Sequence, residues 1–459
     1  MNSSEGFGCF RILSLRGRVA MLTVASLLFG GAAAASAAAT LCVNTSGQGG
    51  CMTTISAAVQ TASWGDTIMV APGTYMEDVT ITKTVSLVAM PGAKPVIDAK
   101  GKANGIYIDG MVAAPGTGVW GVVVLGFEIK DANFEGILVQ NASDVTLVGN
   151  YVHDNDRSLD MSANPSVCDN LPNFETNEEF DCGEGIHLMG SQSVTVLDND
   201  VSYNSGGILT SDETGPSEDN LIKGNHVHDN PYDCGITLAS HGVAPGVTPV
   251  AHGVSFGVKE NTIADNVSEH NGYQVPGSGA GVGIFAPGPG TINTGNVVID
   301  NVLKNNGQPG VAMHNHAAPG VNGVPGFLPP VVFNNNKIIG NYFSGNGTDE
   351  FDGGKPTGIN IYSMGPVWGT VVAQNSFQME GIDTAFDLPA GGGVSEHFNN
   401  FGSGAVGVQN MGAAPVDAAE NWWNCPGGPG ASGCATTAGS NVMDMPWLTN
   451  AALTVANPQ

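Results

Sequence analysis

Positive charge is what this 459-residue sequence lacks most. It holds 14 Lys and Arg against 41 Asp and Glu, a formal net charge of −27. Nucleic-acid binding needs many Lys/Arg–phosphate contacts, so the composition argues against that partner. It also disfavours an anionic polymer, unless a cation such as Ca²⁺ bridges the two. Aromatic residues reach only 7%, whereas propeller repeats are longer and carry aromatic signatures. After residue 37 no run of 18 apolar residues occurs, so no membrane span is expected there. The 66 glycines have no three-residue period, which excludes collagen. Hydrophobic residues at 42%, regularly spaced, argue against disorder.

Residues 1–37 read as a secretory signal. Arg11, Arg16 and Arg18 give a basic start, Val19 to Phe29 is a short apolar run, and Ala35-Ser36-Ala37 is a small-residue cleavage pattern. The remainder carries 11 basic and 40 acidic residues, with Arg157 as its only arginine. Export to an oxidising space, outside the cell, in the periplasm or at the surface, suits the cysteines. Cys42/Cys51, Cys168/Cys182 and Cys425/Cys434 are close pairs, each able to close a small disulfide loop. Cys234 is left over and reads as a buried inert thiol. None of these spacings is that of a zinc ribbon.

Internal repetition is the strongest signal. One unit has two Asn five positions apart: Asn150/Asn155, Asn199/Asn204, Asn225/Asn230, Asn266/Asn271, Asn301/Asn306 and Asn341/Asn346. A second is Gly followed by an aliphatic residue, at Gly136-Ile137, Gly185-Ile186, Gly207-Ile208, Gly235-Ile236, Gly283-Ile284, Gly310-Val311 and Gly358-Ile359. Apolar residues then recur with period two, the mark of short strands with one buried face. The units alternate, with a shortest interval of 26 residues between Asn199 and Asn225. One coil therefore holds two or three strands. Stacked coils would pair parallel strands, stack aliphatic side chains inside and form Asn ladders at the turns. The expected fold is all-β: a single-domain parallel β-helix over 38–449 with roughly a dozen coils. A capping helix is expected at Ile55–Ala62, side-loop insertions between coils, and a tail at 450–459.

The opening Gly65-Asp-Thr-Ile-Met-Val-Ala-Pro-Gly-Thr-Tyr75, the Asn-rich coils and Asn421-Trp-Trp-Asn-Cys-Pro-Gly-Gly-Pro-Gly430 resemble the pectin-lyase-like superfamily of right-handed β-helices. The resemblance covers roughly residues 40–449. It implies the fold but no reaction, because that superfamily includes lyases, hydrolases, epimerases, adhesins and a copper-site maturation protein. Specific motifs match only in part. Ser240-His241-Gly242 resembles half of a polygalacturonase signature without its Arg-x-Lys. Val227-His228-Asp229-Asn230-Pro231 holds the residues of an epimerase motif in another order. Pectate lyases use a basic residue, usually Arg, with Ca²⁺, and Arg157, the only arginine left here, lies in a loop.

Numbered from the aliphatic residue of each unit, Glu213, His241 and His316 occupy one position, with Pro289 at that place in the Ile284 coil. Glu213 and His241 should stand one rung apart, and His316 about two rungs further. His314 should face the same side as His316. Pro/Gly-rich stretches after His241 and His316 should leave the rungs as side loops over this column. On this basis Asp212, Glu213 and His241 are the candidate catalytic groups, and His187, Asp233, His314 and His316 the candidate substrate-binding ones. His241, His314 and His316 are also candidate ligands of a transition metal. The insertion 156–182, with Asp156, Asp160, Asp169, Glu175, Glu178, Glu179 and Asp181, then Glu184 and His187, could take Ca²⁺ through several oxygens or be a solvated acidic loop. The expected function is binding and cleavage of an extended glycan, by hydrolysis or β-elimination, by a secreted monomer. The alternatives are a non-catalytic surface or adhesion protein and a His-centred metal-binding protein.

Overall fold

The structure is a computed structural model. It describes residues 38–452 except 112–117, 164–166, 171–182, 242–254, 276–277, 287, 317, 320–325, 327 and 403–404. The expected leader at 1–37 lies outside the described residues. The expected tail is tied back at its start, where Asn400 Oδ1 accepts from Ala452 N at 2.8 Å.

Among the described residues the strands form three long sheets of 14, 10 and 12 strands, here sheets I, II and III. From Val79 to Gln378 each coil visits III, I and II in turn, and the last coils contribute strands to III and I. The coil from Ile137 contributes Ile137–Gln140 to sheet III, Thr146–Val148 to sheet I and Tyr151–His153 to sheet II. Each strand pairs in parallel with the equivalent strand of the coils before and after. Ile137 stands beside Ile106 on one side and Ile186 on the other. These features make the chain an all-β right-handed parallel β-helix.

Period-two alternation fills the interior. Ile137, Ile186, Ile208, Ile236, Val282 and Val311 form one inward column of sheet III, all essentially inaccessible. The glycine before each is a packing requirement. A Cβ on Gly136 would lie 2.2 Å from Val152 Cγ1 and 2.7 Å from Gly185 O, so only glycine lets the turn approach the next coil. This column corrects one sequence register. Ile236 pairs with Val282, not with Ile284, and Gly281 holds the close-packed place, 2.7 Å from Gly310 O when a Cβ is built on it. Gly283-Ile284 mimics the motif two residues late, and Pro289 is not the counterpart of His241.

The Asn ladders form as expected. Asn225 Nδ2 donates to Asn266 Oδ1 at 3.0 Å and to Val196 O at 3.0 Å. Its own Oδ1 accepts from Asn199 N and Nδ2, both at 2.9 Å. Asp154, Tyr203, Asp229 and His270 precede the second ladder at φ between 55° and 57°, the left-handed geometry that sharp turns demand. At its C-terminal end that ladder changes chemistry. Asn346 N and Nδ2 donate to Glu380 Oε1 at 3.3 and 3.0 Å, so a carboxyl occupies the place of an Asn. The interior is also interrupted near its end. Glu396 pairs with Val372 in an inward column of sheet I and is fully buried. Burial holds its carboxyl well above the usual range, with the buried Asp383 adding to the effect.

The helix Ile55–Thr61 ends one residue earlier than expected. Thr54 caps it, accepting from Ala57 N at 3.2 Å, and it buries Ile55, Ala58 and Val59. Cys42–Cys51 and Cys425–Cys434 are disulfides. Cys168 is disulfide-bonded, and its expected partner Cys182 lies outside the described residues. Cys234 is a free, buried thiol.

Candidate active site on the outer face of sheet III

Sheet III differs from the other two in its outward side chains. In sheets I and II they are mostly partly exposed, whereas Ile137–Gln140, Ile186–Met189, Ile208–Ser211 and Ile236–Ala239 are buried on both faces. One outward column runs Tyr107, Leu138, His187, Leu209, Thr237. The next runs Gln140, Met189, Ser211, Ala239, Phe285, His314, Tyr362. Immediately before the packed glycines of two adjacent coils stand Glu135 and Glu184.

These positions bring six polar groups into a line across the sheet. Glu135, Glu184 and His187 are 1–3% exposed and place one ligand atom each within 4.8 Å of the others. His187 Nδ1 lies 3.7 Å from Glu135 Oε1. Its Nε2 meets Ser211 Oγ at 2.7 Å. Ser211 Oγ donates to Glu213 Oε2 in a very short bond, and Glu213 Oε1 lies 2.5 Å from His241 Nδ1. Because the Ser211 hydroxyl spends its proton on Glu213, His187 must donate through Nε2–H. Its Nδ1 then faces Glu135 and Glu184. Burial works against ionising Glu213, but the charge and hydrogen bond of His241, with help from Ser211, hold it below the usual range.

The expected neighbours Glu213 and His241 thus meet on successive coils. Asp212 points elsewhere. It accepts from His241 N at 2.7 Å, Ser240 Oγ at 3.1 Å and Gly257 N at 2.5 Å. These bonds tie the backbone where the chain leaves the sheet. Burial, then the charge of Glu213, pushes Asp212 up to about 7. Asp233 Oδ1 accepts from Cys234 N at 2.7 Å in its own turn, on the second coil beyond Glu184.

His314 and His316 face the same side, with ring centroids 5.4 Å apart. They belong to a separate cluster with Phe351 and Tyr362: His316 stacks on Tyr362 at 5.2 Å and Phe351 meets Tyr362 at 4.2 Å. His314 Nε2 donates to Asn360 Oδ1 in a very short bond, and burial pushes its pKa down to about 4. The column read from the sequence therefore divides into a Glu213–His241 group and a His314–His316 group.

Among the described residues, two sets of three ligating groups converge within 4.8 Å: Glu135, Glu184 and His187, and Asp200, His226 and His228. Neither contains His241, His314 or His316. Ca²⁺ favours six to eight oxygens, so sets that include imidazole suit a borderline transition ion better. Of the acidic insertion, Asp160 Oδ1 accepts from Ser162 Oγ at 2.6 Å, and burial pushes Asp156 up to about 7. Glu175, Glu178, Glu179 and Asp181 lie outside the described residues. Arg157 is committed to Asp131 at 2.7 Å and Asp154 at 3.3 Å. Glu135 was missed in the sequence although a signal existed: Glu-Gly-Ile occurs on two successive coils, at 135–137 and 184–186.

The family described as right handed beta helix region matches residues 96–323. No curated protein sequence matches the chain. Similar solved structures include a pectate lyase, with TM-score 0.44 and 17% identity over 74% of this chain and 80% of that one. A thermostable α-1,3-glucanase from Streptomyces thermodiastaticus aligns with TM-score 0.48 and 14% identity, over 88% and 68%. A surface adhesin of Streptococcus pneumoniae aligns with TM-score 0.44 and 12% identity, over 79% and 84%. At these identities the likeness extends to the fold alone.

Proposed function

We propose that this right-handed parallel β-helix is an exported carbohydrate-active protein that binds an extended glycan along the outer face of sheet III and hydrolyses it with Glu135 and Glu184. The observation that carries the reading is the convergence of those two carboxylates, from adjacent coils, with His187. Ligand atoms no more than 4.8 Å apart put the pair on the close side, nearer the about 5–5.5 Å of retaining enzymes than the about 6.5–9.5 Å of inverting ones. One carboxylate attacks the anomeric carbon while the other, protonated, delivers its proton to the leaving oxygen. Water then releases the sugar as the second group acts as base. His187, oriented by the Ser211–Glu213–His241 chain, positions the pair.

Phe285, Tyr362 and the His316–Phe351 pair lie further along the same face. The strand of Tyr362 is five coils beyond that of His187, roughly 24 Å at the usual strand spacing, a span suited to an oligomer. The scarcity of cations favours a neutral glycan. Two described disulfides suit an oxidising compartment.

A glycan panel tests the proposal, read for both new reducing ends and absorbance of unsaturated products. Reducing ends without unsaturation are expected, with Glu135→Gln and Glu184→Gln each lowering the rate by about 10²–10⁴. Unsaturated product, or undiminished hydrolysis by Glu184→Gln, would sink it. The burial of the trio favours a second reading, glycan binding without cleavage, which predicts retained binding and no product.

A further inference from the structure

A second constellation lies on the outer face of sheet II, away from the groups assigned above. The strand His226–His228 places two imidazoles on the same face, because alternate residues of a strand point the same way. Their rings stack at 4.0 Å with 23° between planes. Asp200 of the preceding coil is the register partner of His226. Its Oδ1 stands 3.1 Å from His228 Nε2, and the three residues bring one ligand atom each within 4.8 Å of the others. The His226 side chain is 44% exposed and that of His228 19%, so solvent ions can reach them.

The surroundings fix these rings as metal ligands require. His228 Nδ1 donates to Asp229 Oδ2 at 2.7 Å, and its Nε2 meets Asp200 Oδ1 at 3.1 Å, a contact that a bound ion would replace with two metal–ligand bonds. Asp229 is itself held by His270 Nδ1 at 2.5 Å. A carboxylate behind an imidazole in this way sets its tautomer and raises its basicity. On the other side, His226 Nε2 meets Glu269 Oε1 at 3.0 Å, and Glu269 is paired with Lys304 at 3.2 Å. The 3.1 Å spacing also fits. Two ligands each about 2.0–2.1 Å from one ion lie about 2.8–3.4 Å apart at angles between square and tetrahedral. Beside the set opens a cleft of about 430 Å³, lined by Lys94, Tyr151, Asp198, Asp200, Tyr203 and His228.

We propose that Asp200, His226 and His228 form a binding site for a divalent transition ion of the Zn²⁺ or Cu²⁺ class, with a coordination position open to this cleft. Two imidazoles and a carboxylate match that class of ion, and three protein ligands leave room for water or a small donor. The site is independent of the glycan reading.

The test uses untagged full-length protein stripped with chelator, incubated with Zn²⁺, desalted and analysed for metal, with thermal melting in parallel. Wild type should retain one Zn²⁺ that His226→Ala/His228→Ala loses, and Zn²⁺ should raise the melting temperature of wild type only. Asp229→Asn, which keeps every ligand, should bind about 10–100-fold more weakly. Glu184→Gln should retain the ion, which separates this site from Glu135–Glu184–His187. If the double variant does not fold, Asp200→Asn takes its place. Wild type that retains no Zn²⁺, a His226→Ala/His228→Ala or Asp200→Asn variant that retains as much as wild type, or loss of the ion in Glu184→Gln would overturn the proposal.

Discussion

Replacing Glu380 with Gln should stabilise the protein above pH 7 and leave it unchanged near pH 4. Glu380 continues the Asn ladder, its Oε1 accepting from Asn346 N and Nδ2, while it is only 8% exposed. Burial pushes its pKa from the ordinary 4.5 up to about 7, against the opposing pull of those bonds. The folded chain therefore prefers the protonated carboxyl. Its contribution is complete below pH 4.5 and is lost as the pH rises towards 7. At about 1.4 kcal/mol for each pH unit, the span from 4.5 to about 7 amounts to about 3 kcal/mol. Gln keeps the acceptor and removes the titration. Urea unfolding of both proteins from pH 4 to 8 should show a stability gap that opens between pH 4.5 and 7 and levels off at about 3 kcal/mol. Glu396, also buried and pushed upward, contributes to each curve alike, whereas Asp383 is pushed upward in part by the charge of Glu380, so its relief in the variant widens the gap in the same direction. A gap independent of pH, or a Gln variant weaker throughout, would refute the reasoning.

Two further outcomes follow from the same physics. Asn225→Ala removes four ladder bonds made at 2.9–3.0 Å and leaves buried partners unsatisfied, so urea unfolding at pH 7 should show a loss of about 3–5 kcal/mol. His314 is kept neutral by burial, with a pKa of about 4. Its contribution is present above pH 6.5 and is lost as the pH falls towards 4, which amounts to about 3 kcal/mol. His314→Gln, which can still donate to Asn360, should flatten the pH profile of stability across that window.

Much of the architecture was legible because the interior imposes a rule on every coil. The glycine before each inward aliphatic residue is needed for close approach, and each ladder Asn serves the coils on either side. Such residues must recur, and recurrence can be read in one sequence. Where the rule had a decoy, the reading slipped: Gly283-Ile284 satisfies the motif, but Gly281-Val282 fits the stack. Glu380 in the ladder and Glu396 in the core column carry the wrong residue type for their places, so only the fold reveals them.

The sequence by itself determined the repeat, the parallel stacking, the capping helix, the five-residue Asn spacing and the adjacency of Glu213 and His241. Tertiary structure alone decided which outward polar groups converge. It joined Glu135 and Glu184 to His187, separated His314 and His316 from His241, and set Asp200 beside His226 and His228. The physical reason is that inward positions are constrained by packing on every rung, whereas outward ones carry no period. Insertions between coils further uncouple separation in the chain from separation in space, as for Glu135 and Glu184, 49 residues apart in sequence and one rung apart in the fold.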